Sequence, residues 1–383
     1  MLQLENLKIA IVADWLTNLG GAERVVEQMA LALPNADIFT SVYDREALPQ
    51  FEQFRRSKVR TSWLQKIPYL NKRHQLLLPF LPGAFENFDF SDYDLVLSSS
   101  FACAKGILTG PDTLHVCYCH NPTRYLWDES HEYLDRYPWP SFVKKLASWP
   151  LHRLRIWDRV AAERPDFYLA NSKFVARRLQ KYYQKESQVL YPGVVLPEFE
   201  HKDKEDVECS ATRCGDYFLL VSRLTAQKHV DLVVEAFNEL KLPLKIVGSG
   251  PARKQLEELN SSEFTEFLGF VSDDELDELY RHAKALIFPQ AEDFGLVPVE
   301  AQGRGCPVVA FAKGGALETV YAAEAGGELF AEQSVEALVA AVRNFKEREK
   351  LVNKVKVRKS VEKFAADKFR TDLRKILLEL MNL

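Results

Sequence analysis

Short apolar runs rich in strand-forming residues alternate with helical patterns along almost the whole chain of 383 residues. Between the runs, apolar residues recur at helical spacing, as in HVDLVVEAFNEL at 229–240. This alternation predicts parallel sheets covered by helices, and therefore doubly wound α/β domains. The predicted strands are KIAIVAD (8–14), DLVLSSS (94–100), LHVCYC (114–119), FYLAN (167–171), QVLYPG (188–193), YFLLVSR (217–223), LKIVG (244–248), EFLGF (266–270), ALIFP (285–289) and PVVAF (307–311).

The length of the chain suits two domains, because single cores seldom grow beyond about 250–300 residues. A polar and charged stretch, HKDKEDVECSATRCGD, follows Pro197 and has no apolar periodicity. We therefore predict a first Rossmann-like domain at 1–195 and a second at 196–363. Residues 364–383 carry apolar side chains at helical spacing and are predicted to form a helix.

Charge and hydropathy narrow the classes of function. A net charge of −4 does not favour nucleic acid as a partner. No apolar run approaches the roughly 18–20 residues that a membrane span needs. The first 14 residues, MLQLENLKIAIVAD, contain an acidic residue where a signal peptide would be basic, so we expect a cytoplasmic protein.

The six cysteines lack the paired spacing of a zinc site. Cys117-Tyr-Cys119-His120 superficially resembles a metal cluster, but we expect the two thiols to point to opposite faces of one strand. They are interpreted as small buried apolar side chains, and no metal is expected there.

Loops directly after strands are the first candidates for a site, because open α/β sheets bind ligands at the carboxyl ends of their strands. Gly20 and Gly21 precede a helix predicted to begin around Ala22, where free backbone N–H groups favour an anion. Arg223 and Lys228 flank the turn before another helix, whose dipole disfavours cations unless they face an anion. Glycines in GSGP (248–251) and KGGALE (313–318) allow close approach of a ligand.

The stretch EDFGLVPVE separates Glu292 from Glu300 by seven residues. Pro298 suits the first position of a helix predicted at about 298–303, which leaves Glu292 in the preceding loop. The two carboxylates would not share a helix face, and a metal cage lacks further ligands nearby. Backbone N–H groups of 294–297 could receive a phosphate, with hydroxyl-rich groups on either side of it. The inferred ligand is a diphosphate with hydroxyl-bearing groups at both ends.

The chain resembles the retaining glycosyltransferases of family four, which have the GT-B fold. The resemblance is carried by SRLTAQK, VGSGP, FLGFVSDDEL and EDFGLVPVEAQGRGCPVVAF, and in the first half by GGAERVV, CYCHNPTRYLWD and WDRVAAERPDFYLANS. The first-half motifs resemble a subgroup that makes bacterial surface polysaccharides, often as mannosyltransferases. The resemblance implies two Rossmann-like domains facing each other across a cleft, with the last helix crossing back to the first domain.

The resemblance also implies roles for individual residues. Arg223, Lys228, His120 and Glu292 would be catalytic, with the two cations on the diphosphate and the other two on the donor sugar. Glu300 would bind the ribose hydroxyls, and Gly20 and Gly21 would approach phosphate and acceptor. Further substrate-binding residues would be Arg124, Asn171, Gly248, Gly250, Phe270, Val271, Asp293, Phe294, Gly295, Leu296 and Val297, with Ser172 beside Asn171 on the acceptor side.

The implied reaction transfers a hexose with retention, most readily mannose from GDP-mannose, with no cofactor besides the donor. Asp92-Tyr93-Asp94 fits the Asp-x-Asp pattern of metal-dependent enzymes, but it precedes its strand and is interpreted as a turn. Arg223 and Lys228 can replace the charge of a metal, so we expect none. The alternatives are a sugar-nucleotide epimerase of the same architecture, a transferase using a UDP or ADP sugar, and a non-catalytic sensor.

Two basic, aromatic-rich stretches, 53–85 and 139–157, suit an anionic membrane surface or, alternatively, two helices packed on the core. The membrane interpretation predicts a lipid-linked saccharide acceptor and peripheral attachment at the inner face of the plasma membrane.

Overall fold

The computed structural model describes residues 4–48, 59–67, 78–128, 130, 141–197, 215–320 and 326–382, with the backbone alone for 141–148. The chain divides into two compact units. The first unit comprises Met1–Gly193 and Asp367–Leu383, and the second comprises Val194–Ala366. Each unit is an α/β domain with its own parallel sheet, as the alternating sequence pattern predicts.

The sheet of the first unit has the order β3-β2-β1-β4-β5-β6-β7 and pairs its strands in parallel. Its strands are β1 Ile9–Ala13, β2 Asp37–Thr40, β3 Val59–Thr61, β4 Leu95–Ser100, β5 Leu114–Cys119, β6 Phe167–Ala170 and β7 Gln188–Val189. Its helices before the second unit are α1 Gly21–Ala32, α2 Leu81–Glu86, α3 Ser141–Ala161 and α4 Lys173–Tyr183. The chain order reverses between β1 and β4, which makes their carboxyl ends the expected ligand position.

The sheet of the second unit has the order β10-β9-β8-β11-β12-β13, which is the same winding one strand shorter. Its strands are β8 Phe218–Val221, β9 Leu244–Val247, β10 Thr265–Gly269, β11 Leu286–Phe288, β12 Val308–Phe311 and β13 Glu328–Phe330. Its helices are α5 Val230–Leu240, α6 Arg253–Leu259, α7 Asp273–His282, α8 Leu296–Gly303, α9 Ala316–Thr319, α10 Val335–Arg348 and α11 Lys354–Ser360. The equivalent reversal of chain order lies between β8 and β11.

The last helix, α12 (Ala366–Met381), packs on the first unit. Phe369, Leu373 and Leu377 are buried in the same apolar cluster as β1 and α1. Arg374 fixes this helix by donating to the carbonyl oxygen of Ala32 at 2.8 Å. The chain therefore returns to its first unit after completing the second, and the division falls between Ala366 and Asp367.

Two local expectations were wrong. Cys117 and Cys119 are two residues apart in β5, so they share one face of the strand, and both are buried in the same cluster below α4. Helix α8 begins at Leu296 rather than Pro298, with Gly295 as its N-cap. Pro298 is tolerated at the third position because the first N–H groups of a helix have no intrahelical acceptor.

Within the described residues, no helix is long and apolar enough to cross a membrane.

Candidate active site

The loops after β8 and β11 meet at the reversal point of the second sheet. Lys228 ends the 3₁₀ turn Ala226–Lys228 after β8, and Glu292 follows β11. The Lys228 ammonium forms an ion pair with Oε1 of Glu292. Only about a quarter of each side chain is exposed, 27% and 26% respectively, so the pair is partly shielded from solvent. Arg223 lies on the same loop after β8 and is exposed.

Gln290 is a residue of this site that the sequence reasoning missed. Its side chain is 3% exposed, and its Nε2 donates to the same Oε1 of Glu292 at 3.3 Å. Its own Oε1 is buried without a hydrogen-bond partner among the described residues. The sequence could have indicated Gln290, because it directly follows the predicted strand ALIFP and precedes Glu292 by two residues.

The glycine loop after β9 lies directly against the loop after β8. Gly248 has φ of +131°, and a Cβ there would lie 1.9 Å from the carbonyl oxygen of Ser222. A Cβ on Gly250 would lie 2.2 Å from the carbonyl oxygen of Leu224. Both glycines are therefore required by close backbone packing, which brings the two loops to one edge of the sheet.

The loop after β12 supports the Glu292 segment in the same way. Gly314 pairs with Glu292 in an isolated parallel bridge, and the N–H of Gly315 donates to the carbonyl oxygen of Glu292 at 2.8 Å. A Cβ on Gly315 would lie 2.1 Å from the carbonyl oxygen of Phe294. The backbone of Glu292 is thus fixed independently of its side chain.

Helix α8 begins at this edge of the sheet. Gly295 adopts φ of +86° and caps the helix, so the N–H groups of Leu296 and Val297 lie in its first turn. Phe294 is buried, with its ring 5.3 Å from that of Phe364. Asp293 and Glu300 are partly exposed, Asp293 in the loop and Glu300 within the helix.

The loop after β10 presents Phe270, whose side chain is 87% exposed, more than any other large apolar side chain among the described residues. Val271 follows it, and Ser272 then caps α7 through a reciprocal pair of bonds with Glu275. The N–H of Gly248 donates to the carbonyl oxygen of Gly269 at 2.7 Å. Phe270 therefore follows the glycine loop directly along this edge.

In the first unit, His120 and Asn171 follow the adjacent strands β5 and β6 and contact each other. Nδ2 of Asn171 donates to the carbonyl oxygen of His120 at 3.0 Å, and Ser172 caps α4. Nε2 of His120 lies 2.8 Å from the Ser99 hydroxyl. Burial lowers the pKa of His120 to about 3, so its imidazole is neutral near pH 7.

Gly20 and Gly21 lie at the start of α1, which begins at Gly21, one residue before the predicted start at Ala22. Gly20 is the N-cap, and a Cβ there would lie 2.6 Å from a carboxylate oxygen of Glu23. Arg124 begins the short turn Arg124–Leu126, and its N–H donates to the side-chain oxygen of Asn121 at 3.1 Å.

At the reversal point of the first sheet, backbone N–H groups donate hydrogen bonds to a carboxylate of the protein. Asp14 follows β1, is fully buried, and accepts hydrogen bonds from four consecutive backbone N–H groups, those of Phe101, Ala102, Cys103 and Ala104, at 2.6–2.9 Å. This loop after β4 is thus held by a carboxylate of the protein itself.

A buried polar network lies beneath the loop of Arg124 and was also missed. Asp158 of α3 pairs with Lys105 at 2.6 Å, and both are 2% exposed or less. The Asp158 carboxylate also accepts from Thr123, Trp127 and Tyr183 at 2.7–2.8 Å. An acid within the helical stretch LRIWDRV, otherwise apolar and basic, was the signal in the sequence.

Asp92 and Asp94 precede β4, as expected from the sequence, and both contact Lys8. Asp92 pairs with the Lys8 ammonium at 3.0 Å, and Asp94 accepts from the Lys8 N–H at 2.7 Å. Within the described ranges, no group of three or more His, Cys, Asp or Glu side chains is arranged to hold a metal ion.

Comparison with known families assigns both units. Residues 19–197 match the model described as Glycosyltransferase Family 4, and residues 213–361 match the model described as Glycosyl transferases group 1. Two parallel-sheet Rossmann-like units carrying these domains define a GT-B glycosyltransferase. The chain is a glycosyltransferase of the family-four type, a class that transfers sugar from a nucleotide sugar.

Among curated proteins, the human alpha-1,3/1,6-mannosyltransferase ALG2 is 26% identical over 79% of this chain and 79% of its own length. An uncharacterized glycosyltransferase of Methanocaldococcus jannaschii is 37% identical over 27% of this chain and 28% of its own length. A second one from that organism is 29% identical over 43% of this chain and 46% of its own length. These two matches span less than half of either relative.

Among solved structures, the Anabaena protein HepE in complex with UDP superimposes with a TM-score of 0.69 at 17% identity, over 97% of this chain and all of the other. Sucrose-phosphate synthase from Thermosynechococcus elongatus gives 0.71 at 18% identity, over 98% and 100% of the two chains. At these identities the likeness establishes the fold.

Proposed function

We propose that this protein is a retaining mannosyltransferase that moves mannose from GDP-mannose to a saccharide acceptor in bacterial surface polysaccharide synthesis. One observation carries the proposal. Lys228 pairs with Glu292 just before the start of α8, and Arg223 is exposed on the same loop after β8 as Lys228. Positive charge and free N–H groups suit a diphosphate, and an adjacent carboxylate suits sugar hydroxyls.

In this proposal, Arg223 and Lys228 stabilise the diphosphate as it leaves, without a metal. Glu292 orients the donor sugar, Glu300 binds the ribose, and the acceptor hydroxyl attacks the face from which the diphosphate departs. Catalysis then rests on positioning and on stabilisation of the leaving-group charge rather than on a side-chain nucleophile. Neutral His120 serves as a hydrogen-bonding group and not as a cation.

The choice of mannose is supported by the ALG2 relatives, which are alpha-1,3/1,6-mannosyltransferases. The alternative that a UDP sugar is the donor draws support from HepE, which was solved with UDP. The epimerase alternative differs in needing no acceptor.

A transfer assay tests the proposal. The protein is incubated with GDP-mannose and a lipid extract containing saccharide acceptors, and the product is analysed by NMR for anomeric configuration. A mannosylated product with the donor's configuration is expected. Inverted configuration would refute the retaining mechanism, and conversion of the donor without an acceptor would support the epimerase instead.

We also propose that the acceptor is lipid-linked and that α3 contacts an anionic membrane surface. Trp149, Ile156 and Val160 are 62%, 54% and 56% exposed and lie along one face of α3. The Arg153 guanidinium lies 4.3 Å from the centre of the Trp149 ring. The single acid of α3, Asp158, is buried, so its exposed charges are cationic, as anionic lipid headgroups require.

The opposite side of α3 links this surface to the candidate acceptor loop. Asp158 accepts from Thr123 and Trp127, which flank Arg124 in the chain. A lipid-bound acceptor would therefore meet a loop that is fixed to the membrane-facing helix. Of the first basic stretch, only 59–67 and 78–85 lie within the described residues, where the exposed rings of Trp63 and Phe80 pack 6.5 Å apart.

Vesicle sedimentation tests the membrane surface. Vesicles containing phosphatidylglycerol at low salt are expected to retain the wild-type protein and to lose the Ile156→Glu/Val160→Glu variant. The matched control is Leu351→Glu, since Leu351 is 81% exposed in the second unit and should not affect binding. Equal retention of all three proteins, or of none, would refute this surface.

A further inference from the structure

The ion pair between Lys228 and Glu292 joins two groups to which the proposed function gives different parts of the donor. Lys228 would contact the diphosphate, whereas Glu292 would contact the sugar hydroxyls. In the structure, the ammonium and the carboxylate instead neutralise each other. Arg223 differs, because it is exposed and makes no ion pair within the described part of the chain. Arg223 can therefore bind an incoming phosphate without first breaking an ion pair, whereas Lys228 cannot.

We propose that the Lys228–Glu292 pair is exchanged on donor binding, so that the diphosphate takes Lys228 and the sugar takes the released carboxylate. This inference rests on the proposed function, because it assumes a sugar nucleotide at this site. The exchange makes the ion pair a competitor of the diphosphate. A partly shielded pair of this kind is worth up to about 1 kcal/mol, enough to change an affinity severalfold.

Gln290 supplies a contact to Glu292 that remains after the exchange. Its Nε2 donates to the same carboxylate oxygen that Lys228 contacts, and the buried side chain is neutral. A neutral amide has no electrostatic reason to follow the diphosphate, so it stays with Glu292. The isolated bridge to Gly314 holds the backbone of Glu292 at the same time. Gln290 is therefore a positioning residue that keeps the carboxylate aimed at the sugar.

The exchange predicts different affinities for the intact donor and for the nucleoside diphosphate product. A nucleoside diphosphate without sugar breaks the ion pair and supplies no hydroxyl group to Glu292. The intact donor breaks the same pair but provides hydroxyl groups that donate to the carboxylate. The site should consequently discriminate against the diphosphate product relative to the donor, which favours product release after transfer.

A double-mutant cycle measured by titration calorimetry tests the exchange. GDP is titrated into the wild type, Glu292→Gln, Lys228→Met and the double variant, with UDP in parallel. We expect Glu292→Gln to bind GDP about fivefold more tightly, since the competing carboxylate is gone. In the Lys228→Met background the same change should give little or no gain. Glu239→Gln, which removes an exposed pair with Arg343, is the matched control and should leave GDP affinity unchanged.

The outcomes separate this inference from the proposed function. An unchanged GDP affinity in Glu292→Gln would overturn the exchange, and so would an equal gain in the presence and absence of Lys228, which would indicate simple repulsion. Failure of the wild type to bind any nucleoside diphosphate or sugar nucleotide would instead refute the proposed function.

A separate variant tests the positioning role of Gln290. Gln290→Met keeps the length of the side chain and removes both hydrogen-bonding groups. We expect GDP affinity and melting temperature to stay near wild type while GDP-mannose affinity and kcat fall severalfold. Parallel losses of GDP affinity and melting temperature would show a purely structural role and overturn this assignment.

Discussion

Replacing Asp158 should destabilise the first unit more than any exposed substitution in it. The carboxylate is 1% exposed and is surrounded by donors from Lys105, Thr123, Trp127 and Tyr183. Burial by itself would lower the pKa of Lys105, but the Asp158 carboxylate raises it overall, so the ammonium stays charged. Asp158→Ala leaves that charge buried and unpaired and removes the acceptor of three further hydrogen bonds.

The expected loss follows from these contacts. Removing one partner of a buried ion pair costs about 3–5 kcal/mol, because the remaining charge cannot be solvated. For a unit of this size, each kcal/mol corresponds to about 2–4 °C in melting temperature. We therefore expect a decrease of roughly 6–20 °C. Adding Lys105→Met to Asp158→Ala should recover part of the loss, since no unpaired charge then remains.

Tryptophan fluorescence during urea unfolding is a suitable assay. All six tryptophans lie between residues 15 and 157, so the signal reports the first unit alone. A loss below about 1 kcal/mol for Asp158→Ala would refute the reasoning, since that is the range of exposed pairs. The reasoning would also be contradicted if adding Lys105→Met lowered the stability of Asp158→Ala further, by as much as an independent substitution would.

Three further outcomes are expected. Gly314→Ala should destabilise the second unit by about 1–3 kcal/mol in chemical unfolding, because φ is +70° and the new Cβ would lie 2.2 Å from a carbonyl oxygen; Gly83→Ala, with nothing within 4 Å of its Cβ, should not destabilise the protein. Leu373→Ala should lower the tryptophan-reported stability of the first unit by about 2–5 kcal/mol, and no change would contradict the packing of α12. Burial lowers the pKa of His115 and His120 to about 3, so the unfolded chain binds more protons below about pH 6.5. Between pH 6 and pH 4, each of the two histidines should then lower the free energy of unfolding by about 1.4 kcal/mol for each unit by which the pH falls. His115→Gln should halve the combined contribution of the two histidines to this pH dependence.

Much of the fold could be predicted from the sequence, because long apolar runs leave few alternatives. The run LHVCYC at 114–119 corresponds to β5 residue for residue. Strands β2, β3 and β13 were missed because DIFT, VRT and ELF include polar or charged residues, so they lack the apolar run that identified the equally short β11. The start of α8 was misplaced because proline is tolerated at more than one position of a first turn.

The candidate site was predictable in outline for a physical reason. Parallel strands bring the loops at their carboxyl ends to one edge, so residues distant in sequence, such as Lys228 and Glu292, meet there. Which partner a side chain takes depends on packing that no local pattern records. Gln290 and Asp158 act through buried contacts with residues from other elements, and the sequence gives only their polarity.

The binding of sugar nucleotides to the wild-type protein tests the central claim most directly. GDP-mannose, UDP-glucose and ADP-glucose are compared by thermal shift and calorimetry, because a ligand that binds the folded state raises its melting temperature. We predict saturable binding of GDP-mannose that is weakened at least tenfold by Arg223→Ala/Lys228→Met. Binding of none of the three, or GDP-mannose affinity that is indifferent to both cations, would contradict a donor site at this edge of the second sheet.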